Sequence, residues 1–138
     1  MVTHRDPVAV TTSLVTMMSY SSRLNVERPD PVRIGRYWAT RVEEMLNACV
    51  RDRELLPAER SIDVRFDEFM ADDVAMVARI YDVAGQPMTD ASRKAMDEFM
   101  ADHPRGRHGT VVYDLAQFGL DAEDRRQALS AYAERFGV

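Results

Sequence analysis

Residues 1–4 read as the end of a short strand, and Asp6 with Pro7 then opens an apolar run. Aspartate is a good helix N-cap and proline suits the first helical position. A helix is therefore predicted from residue 8 to about 20, with Val10, Leu14, Met17 and Met18 on one broad face. Residues 19–31 hold Ser21, Ser22, Asn25, Pro29 and Pro31 and read as a loop. A second helix is predicted from about residue 32 to 54. Ile34, Trp38, Met45, Leu46 and Cys49 form its apolar stripe, and Arg33, Arg36, Arg41, Glu44 and Arg51 lie largely off it. Residues 61–66 alternate, with Ile62, Val64 and Phe66 on one face, which is strand chemistry. Asp72 or Asp73 caps a third helix carrying Val74, Val77, Ile80, Tyr81 and Ala84, and Gly85 stops it. Thr89 caps a fourth, with Ala95, Met96, Phe99 and Met100. Pro104, Gly106 and Gly109 mark a basic loop, and Asp121 caps a last helix with Leu129, Tyr132, Ala133 and Phe136.

This pattern amounts to about five helices and two short strands. Each strand is followed by a helix, which is parallel α/β logic. Two strands are too few for a doubly wound sheet. The chain is then either an all-α domain with incidental strands or part of a larger α/β fold. Nothing repeats and no linker divides it, so residues 1–138 read as a single domain, which the length fits.

Composition narrows the function. With 46% hydrophobic and 30% charged residues and only 6 Gly and 6 Pro, the chain is neither disordered nor low in complexity. The single cysteine, Cys49, excludes a disulfide framework and any multi-cysteine zinc site. No apolar run approaches the roughly 20 residues of a membrane span, and a cytoplasmic protein is expected. Lys plus Arg number 18 against 23 Asp plus Glu, a net charge of −5, which argues against sequence-independent nucleic-acid binding. Lys94 is the one lysine; the other basic residues are arginines, suited to bidentate phosphate or carboxylate contacts.

Three groups could carry chemistry. Arg5 precedes the capped helix start, and Ser13 lies two turns into the helix. A phosphate held by both would sit at a helix N-terminus, where backbone N–H groups and a partial positive charge are expected. The plainer reading pairs Arg5 with a carboxylate and leaves Ser13 an ordinary helix residue; local chemistry alone favours it. The second group is His103, Pro104, Arg105, Gly106, Arg107, His108 and Gly109, where glycines let amides approach an anion. A solvated basic loop is the alternative, and no Cys cluster or HExxH helix supports zinc there. The third group, Asp67 and Glu68 with Asp72 and Asp73, reads as helix caps and a solvated face. There is no GxxxxGK(S/T), GxGxxG or GxSxG motif.

Together these segments resemble the nucleotide-binding parts of sulfotransferases that use 3′-phosphoadenosine 5′-phosphosulfate (PAPS), in particular the bacterial branch. His4-Arg5-Asp6-Pro7 followed by Ser13 is similar to the family's strand-to-helix motif, in which an arginine and a serine eight residues on hold the nucleotide's 3′-phosphate. Arg105-Gly106-Arg107-His108-Gly109 resembles its late phosphate loop. Arg65 to Phe69 resembles a strand-end segment that commonly reads Tyr-Glu-Asp-Leu, with Phe66 in the aromatic position. Tyr113 to Asp121, with Phe118-Gly119-Leu120, resembles the bacterial C-terminal tail.

The resemblance spans essentially the whole chain and implies the helix-rich C-terminal portion of a P-loop-like α/β fold. It implies Arg5, Ser13, Arg105, Gly106 and Arg107 as residues for the co-substrate PAPS or adenosine 3′,5′-bisphosphate, with no metal. The family's sulfonate-binding loop and general-base histidine belong to an N-terminal half that this sequence does not match. His4, His103 and His108 do not fall at the base position. The isolated chain is therefore expected not to be catalytically competent and to depend on such a half as partner. The alternative is a non-catalytic helical interaction module using Met1, Val2, Val10, Leu14, Ile62 and Val64.

Overall fold

The computed structural model describes residues 1–104 and 114–138. Strand β1 spans Val2–His4 and strand β2 spans Asp63–Arg65. They pair in parallel, with Val2 opposite Asp63, Thr3 opposite Val64 and His4 opposite Arg65. A tight turn cannot join parallel neighbours. The connection instead contains two long helices, α1 (Pro7–Ser22) and α2 (Pro31–Asp52). The α/β alternative therefore holds, and the all-α one does not. The His4 side chain is fully buried, and its Nε2 lies 2.9 Å from Asp63 Oδ1, a cross-strand bond in addition to the ladder.

The described residues hold seven α-helices where the pattern predicted about five. One addition is α3 (Phe66–Ala71), which cuts the predicted strand short. Asp67 and Glu68 occupy its first turn, where the helix dipole favours negative charge, so the chain turns helical at once after Arg65. Phe66 is consequently a helix residue and 40% exposed, not a third inward strand position. Next come α4 (Asp73–Val83) and α5 (Asp90–Asp102). Asp72 is the cap left open by the sequence, its carboxylate accepting from Ala75 N at 2.9 Å. The second addition comes from the last predicted helix, which is divided into α6 (Ala122–Ala128) and α7 (Ser130–Phe136). The backbone opens at Leu129 (φ −106°, ψ 8°), yet Leu129 N still bonds to Arg125 O and Ala133 N to Leu129 O, both at 3.1 Å. The helical register survives the distortion.

The chain folds as two compact units. One comprises Met1–His4 with the described part of Leu56–Val111, the other Arg5–Leu55 with the described part of Val112–Val138. In the second unit, α1 and α2 pack together and receive the C-terminal segment. Its core joins Val8 and Val15 of α1 to Leu115 and Phe118, with Trp38 and Leu120 packed against them. The inward face of α1 is thus Val8, Thr11, Thr12 and Val15. The predicted face is the outer one: Val10 and Met17 are exposed, and Leu14 and Met18 half-buried. Threonine misled the pattern. Thr11 and Thr12 donate to the carbonyls of Pro7 and Val8, both at 2.7 Å, so their hydroxyls are buried with partners made inside their own helix.

On α2 the buried line is Gly35, Ala39 and Val42, flanked by half-buried Ile34, Trp38, Leu46 and Cys49, while Met45 is exposed. Small residues there permit close approach. A Cβ added at Gly35 would stand 2.6 Å from the carbonyl oxygen of Phe118 and 2.7 Å from its Cβ. Farther along, the Arg125 guanidinium of α6 donates to Glu43 of α2 at 2.9 Å, and Arg135 of α7 pairs with Glu54 just beyond the end of α2.

Gly35→Ala tests the close approach. Alanine gains about 1 kcal/mol of helix propensity, but the methyl meets backbone that cannot move aside, and overpacking of this kind costs about 1–3 kcal/mol. The expected outcome is a net loss, read as a lower midpoint in urea unfolding. Unchanged or raised stability would mean that Phe118 does not seat directly on α2.

Candidate functional site

Arg5 is exposed at the junction between β1 and α1, immediately before the N-cap Asp6. The local chemistry of the helix start differs from the sequence expectation. Asp6 Oδ1 accepts from Val8 N at 2.9 Å, Pro7 has no N–H to offer, and Val10 N is bonded to Asp6 O at 3.0 Å. The chain itself occupies most of the first-turn donors. The Asp6 carboxylate also places a negative charge at the positive end of the helix. An anion at this junction has to be gripped by side chains rather than by a ring of open amides.

Ser13 is half-buried on the second turn of α1. Its neighbours Thr11, Thr12 and Thr16 each donate to the carbonyl four residues back. Ser13 makes no such bond among the described residues, which leaves its hydroxyl able to donate to a ligand. Arg105, Gly106 and Arg107 lie outside the described residues, as do His108 and Gly109. The tail that follows them is described. Leu115 is 7% exposed and belongs to the same core cluster as Val8, the second residue of α1. The 3-10 turn Ala116–Phe118 is closed by Gly119 in the left-handed region (φ 64°), which stands against Val32. Neither Gly35 nor Leu115 was marked by the sequence as positioning this segment. The available signal was a glycine inside an otherwise regular helical run.

The remaining candidates resolve into structure. Arg65 Nε and Nη2 donate to the two oxygens of Asp67 at 3.2 and 2.6 Å. Glu68 lies 3.6 Å from both Arg65 and Arg79. The hydrogen bonds from Arg65 hold the Asp67 carboxyl below the ordinary aspartate value, and Asp67 in turn raises the arginine. These carboxylates form a surface ion network and caps, as expected of them. His103 Nδ1 donates to Phe99 O at 2.9 Å, and the two rings stack at 4.1 Å. Among the described residues, no group of three or more His, Cys, Asp or Glu is placed to hold a metal ion, and no helix is long and apolar enough to cross a membrane. Of the apolar residues considered for a partner surface, Val64 is buried, Val2, Leu14 and Ile62 are half-buried, and Met1 and Val10 are exposed.

Parallel strands joined through helices, with an arginine at the strand-to-helix junction, place the chain among the α/β proteins. Residues 1–90 match the sequence profile of the sulfotransferase family, and the chain belongs to that family. Its fold is similar to the crystal structure of sulfotransferase STF9 from Mycobacterium avium, with a TM-score of 0.83 and 28% identity. The match covers 98% of this chain and 35% of that one, so this chain spans about a third of the length of that relative. No curated protein matches. Sulfotransferases of this family generally use PAPS as the sulfonate donor.

The Arg65–Asp67 pair sits in the segment that resembles the family's strand-end motif, and it is open to titration. A depressed carboxyl favours the folded state above the ordinary aspartate value and loses that contribution as pH falls through the depressed value. Arg65→Ala should raise the Asp67 midpoint towards the ordinary aspartate value in a carbon-detected NMR titration. Identical midpoints in the two proteins would show that the bidentate contact is not populated.

Proposed function

We propose that this chain forms the part of a PAPS-dependent sulfotransferase that binds the nucleotide's 3′-phosphate. Arg5 and Ser13 grip that phosphate together with Arg105, and the backbone of Gly106 and Arg107 approaches it. The observation that carries this reading is the return of the tail to α1. Leu115 packs in one cluster with Val8, three residues from Arg5, and only eight residues separate Leu115 from Arg107. A chain of that length reaches at most about 26–29 Å. Bidentate arginine contacts suit a phosphate dianion, and a serine hydroxyl adds a neutral donor.

Sulfonate transfer needs more than this grip. The sulfonate and bridging phosphate must be neutralised, the acceptor hydroxyl deprotonated, and the two aligned. No residue of this chain matches those roles, so transfer requires segments that supply a sulfonate-binding loop and a base. The outer face of α1 supports that dependence. Val10 and Met17 are exposed and Leu14 and Met18 only half-covered, on a helix whose other face is already buried. A helix apolar all round is the mark of a core element. The same face supports the second reading, a non-catalytic interaction module.

Calorimetric titration with adenosine 3′,5′-bisphosphate separates the two. Charge-assisted contacts contribute about 1.5–3 kcal/mol each, against the entropic cost of association. Binding between about 1 mM and high micromolar is expected. Arg5→Ala should weaken it by about tenfold or more, and the isolated chain should not turn over PAPS. A silent titration with an intact fold would favour the interaction module. Reproducible transfer to any hydroxyl acceptor would overturn the assignment of the missing roles.

A further inference from the structure

A second feature is independent of the phosphate reading. Within the unit that contains β1 and β2, a groove of about 390 Å³ runs between α4 and α5. Val74, Val77 and Tyr81 form one wall, and Ala95, Met96 and Phe99 the other. Phe69 of α3 also lines it. No residue of α5 is buried, and Phe99 is 59% exposed. An amphipathic helix normally closes its apolar stripe against its neighbour. Here the two apolar stripes face each other, and no described residue fills the space between them.

The ends of the two walls are fixed locally. Asp72 caps α4 and Thr89 caps α5, and Gly85 ends α4 in the left-handed region (φ 65°). The Phe99 ring is stacked on His103 and its carbonyl accepts from the same imidazole, which fixes that wall residue. The size of the groove limits what fits. Small-molecule sites begin at about 300 Å³ and are mostly apolar with a few polar groups at one end. Charge excludes further classes. Among the described residues no Lys or Arg lines the groove, and its polar groups are the Asp73 carboxylate, the Ser92 hydroxyl and the Tyr81 phenol. Nucleotides, sulfate and other anions find no countercharge there.

We propose that the α4–α5 groove binds a neutral, largely hydrocarbon small molecule, lying between Val77 and Tyr81 on one side and Met96 and Phe99 on the other. The ligand completes the burial that the two helices leave open.

The test uses N-phenyl-1-naphthylamine, a neutral apolar fluorophore, titrated into the full chain. A saturable rise in emission with one site per chain is expected. Ala95→Trp places an indole in the groove from an exposed helix position and should reduce affinity by about tenfold or more. Phe99→Ser, which removes one wall, should weaken binding as well. Tyr20→Ala, on α1, should leave it unchanged; far-UV circular dichroism and thermal melting verify that each variant folds. A signal that does not saturate, or that Ala95→Trp leaves intact in a folded protein, overturns the proposal. So does a site that appears only as the chain self-associates with rising concentration, which would make the occupant a second copy.

Discussion

The approach of Phe118 to Gly35 is the contact on which the second unit depends. With no side chain at Gly35, the backbone of the tail comes within van der Waals reach of the α2 backbone. Phe118 can then enter the cluster with Val8 and Val15, and Leu115 follows it. The left-handed Gly119 turns the chain immediately afterwards against Val32, so that Asp121 can cap α6 through Glu123 N and Asp124 N. Each step needs the previous one. A larger residue at position 35 would push the tail outward and loosen the cluster around the first turn of α1, from which the Arg5 junction is directly continued.

Much of this was legible in the chain. Caps at Asp6, Asp30, Asp72, Thr89 and Asp121 all bond to the first-turn amides of their helices, four of them at positions where the sequence had already suggested a start. Capping is local chemistry, readable within four residues. Both strands were also readable, and their order along the chain suggested that they are parallel. The inward face of α1 was not. Hydropathy treats threonine as half-polar, but a threonine bonded to its own helix has no unmet polar group and packs like valine. Periodicity therefore selected Val10, Leu14 and Met17, the face left outward. The end of β2 was misplaced for a comparable reason. Phe66 continues the alternation, but Asp67 and Glu68 make a helix start at that point more favourable.

The candidate site was legible in residue types more than in mechanism. Arg5 and Ser13 were singled out by the sequence, and the structure has Arg5 exposed beside Asp6 and Ser13 half-buried on α1. The helix start is less open than the sequence implied, because one aspartate cannot both cap the helix and leave its amides to a ligand. In the proposed phosphate site, recognition then falls to the Arg5 guanidinium and the Ser13 hydroxyl rather than to amides. That shift matters physically. An amide ring confers shape and binds many oxyanions alike, whereas an arginine fork and a hydroxyl favour a tetrahedral dianion presenting two oxygens in one plane.

The two units also differ in what they leave unfinished. The α1–α2 unit has a filled core and presents an apolar outer face on α1. The strand-bearing unit buries Val64 and Met76 and leaves a groove of about 390 Å³ between α4 and α5. Its two-stranded sheet is marginal by itself, since independent stability normally takes three or more strands or a helix packed on the face. The His4–Asp63 bond and the start of α3 directly after β2 compensate in part. A ligand that joins its helices adds its binding free energy directly to the folding free energy. Filling the α4–α5 groove would then stabilise the helical pair that the unit leaves open.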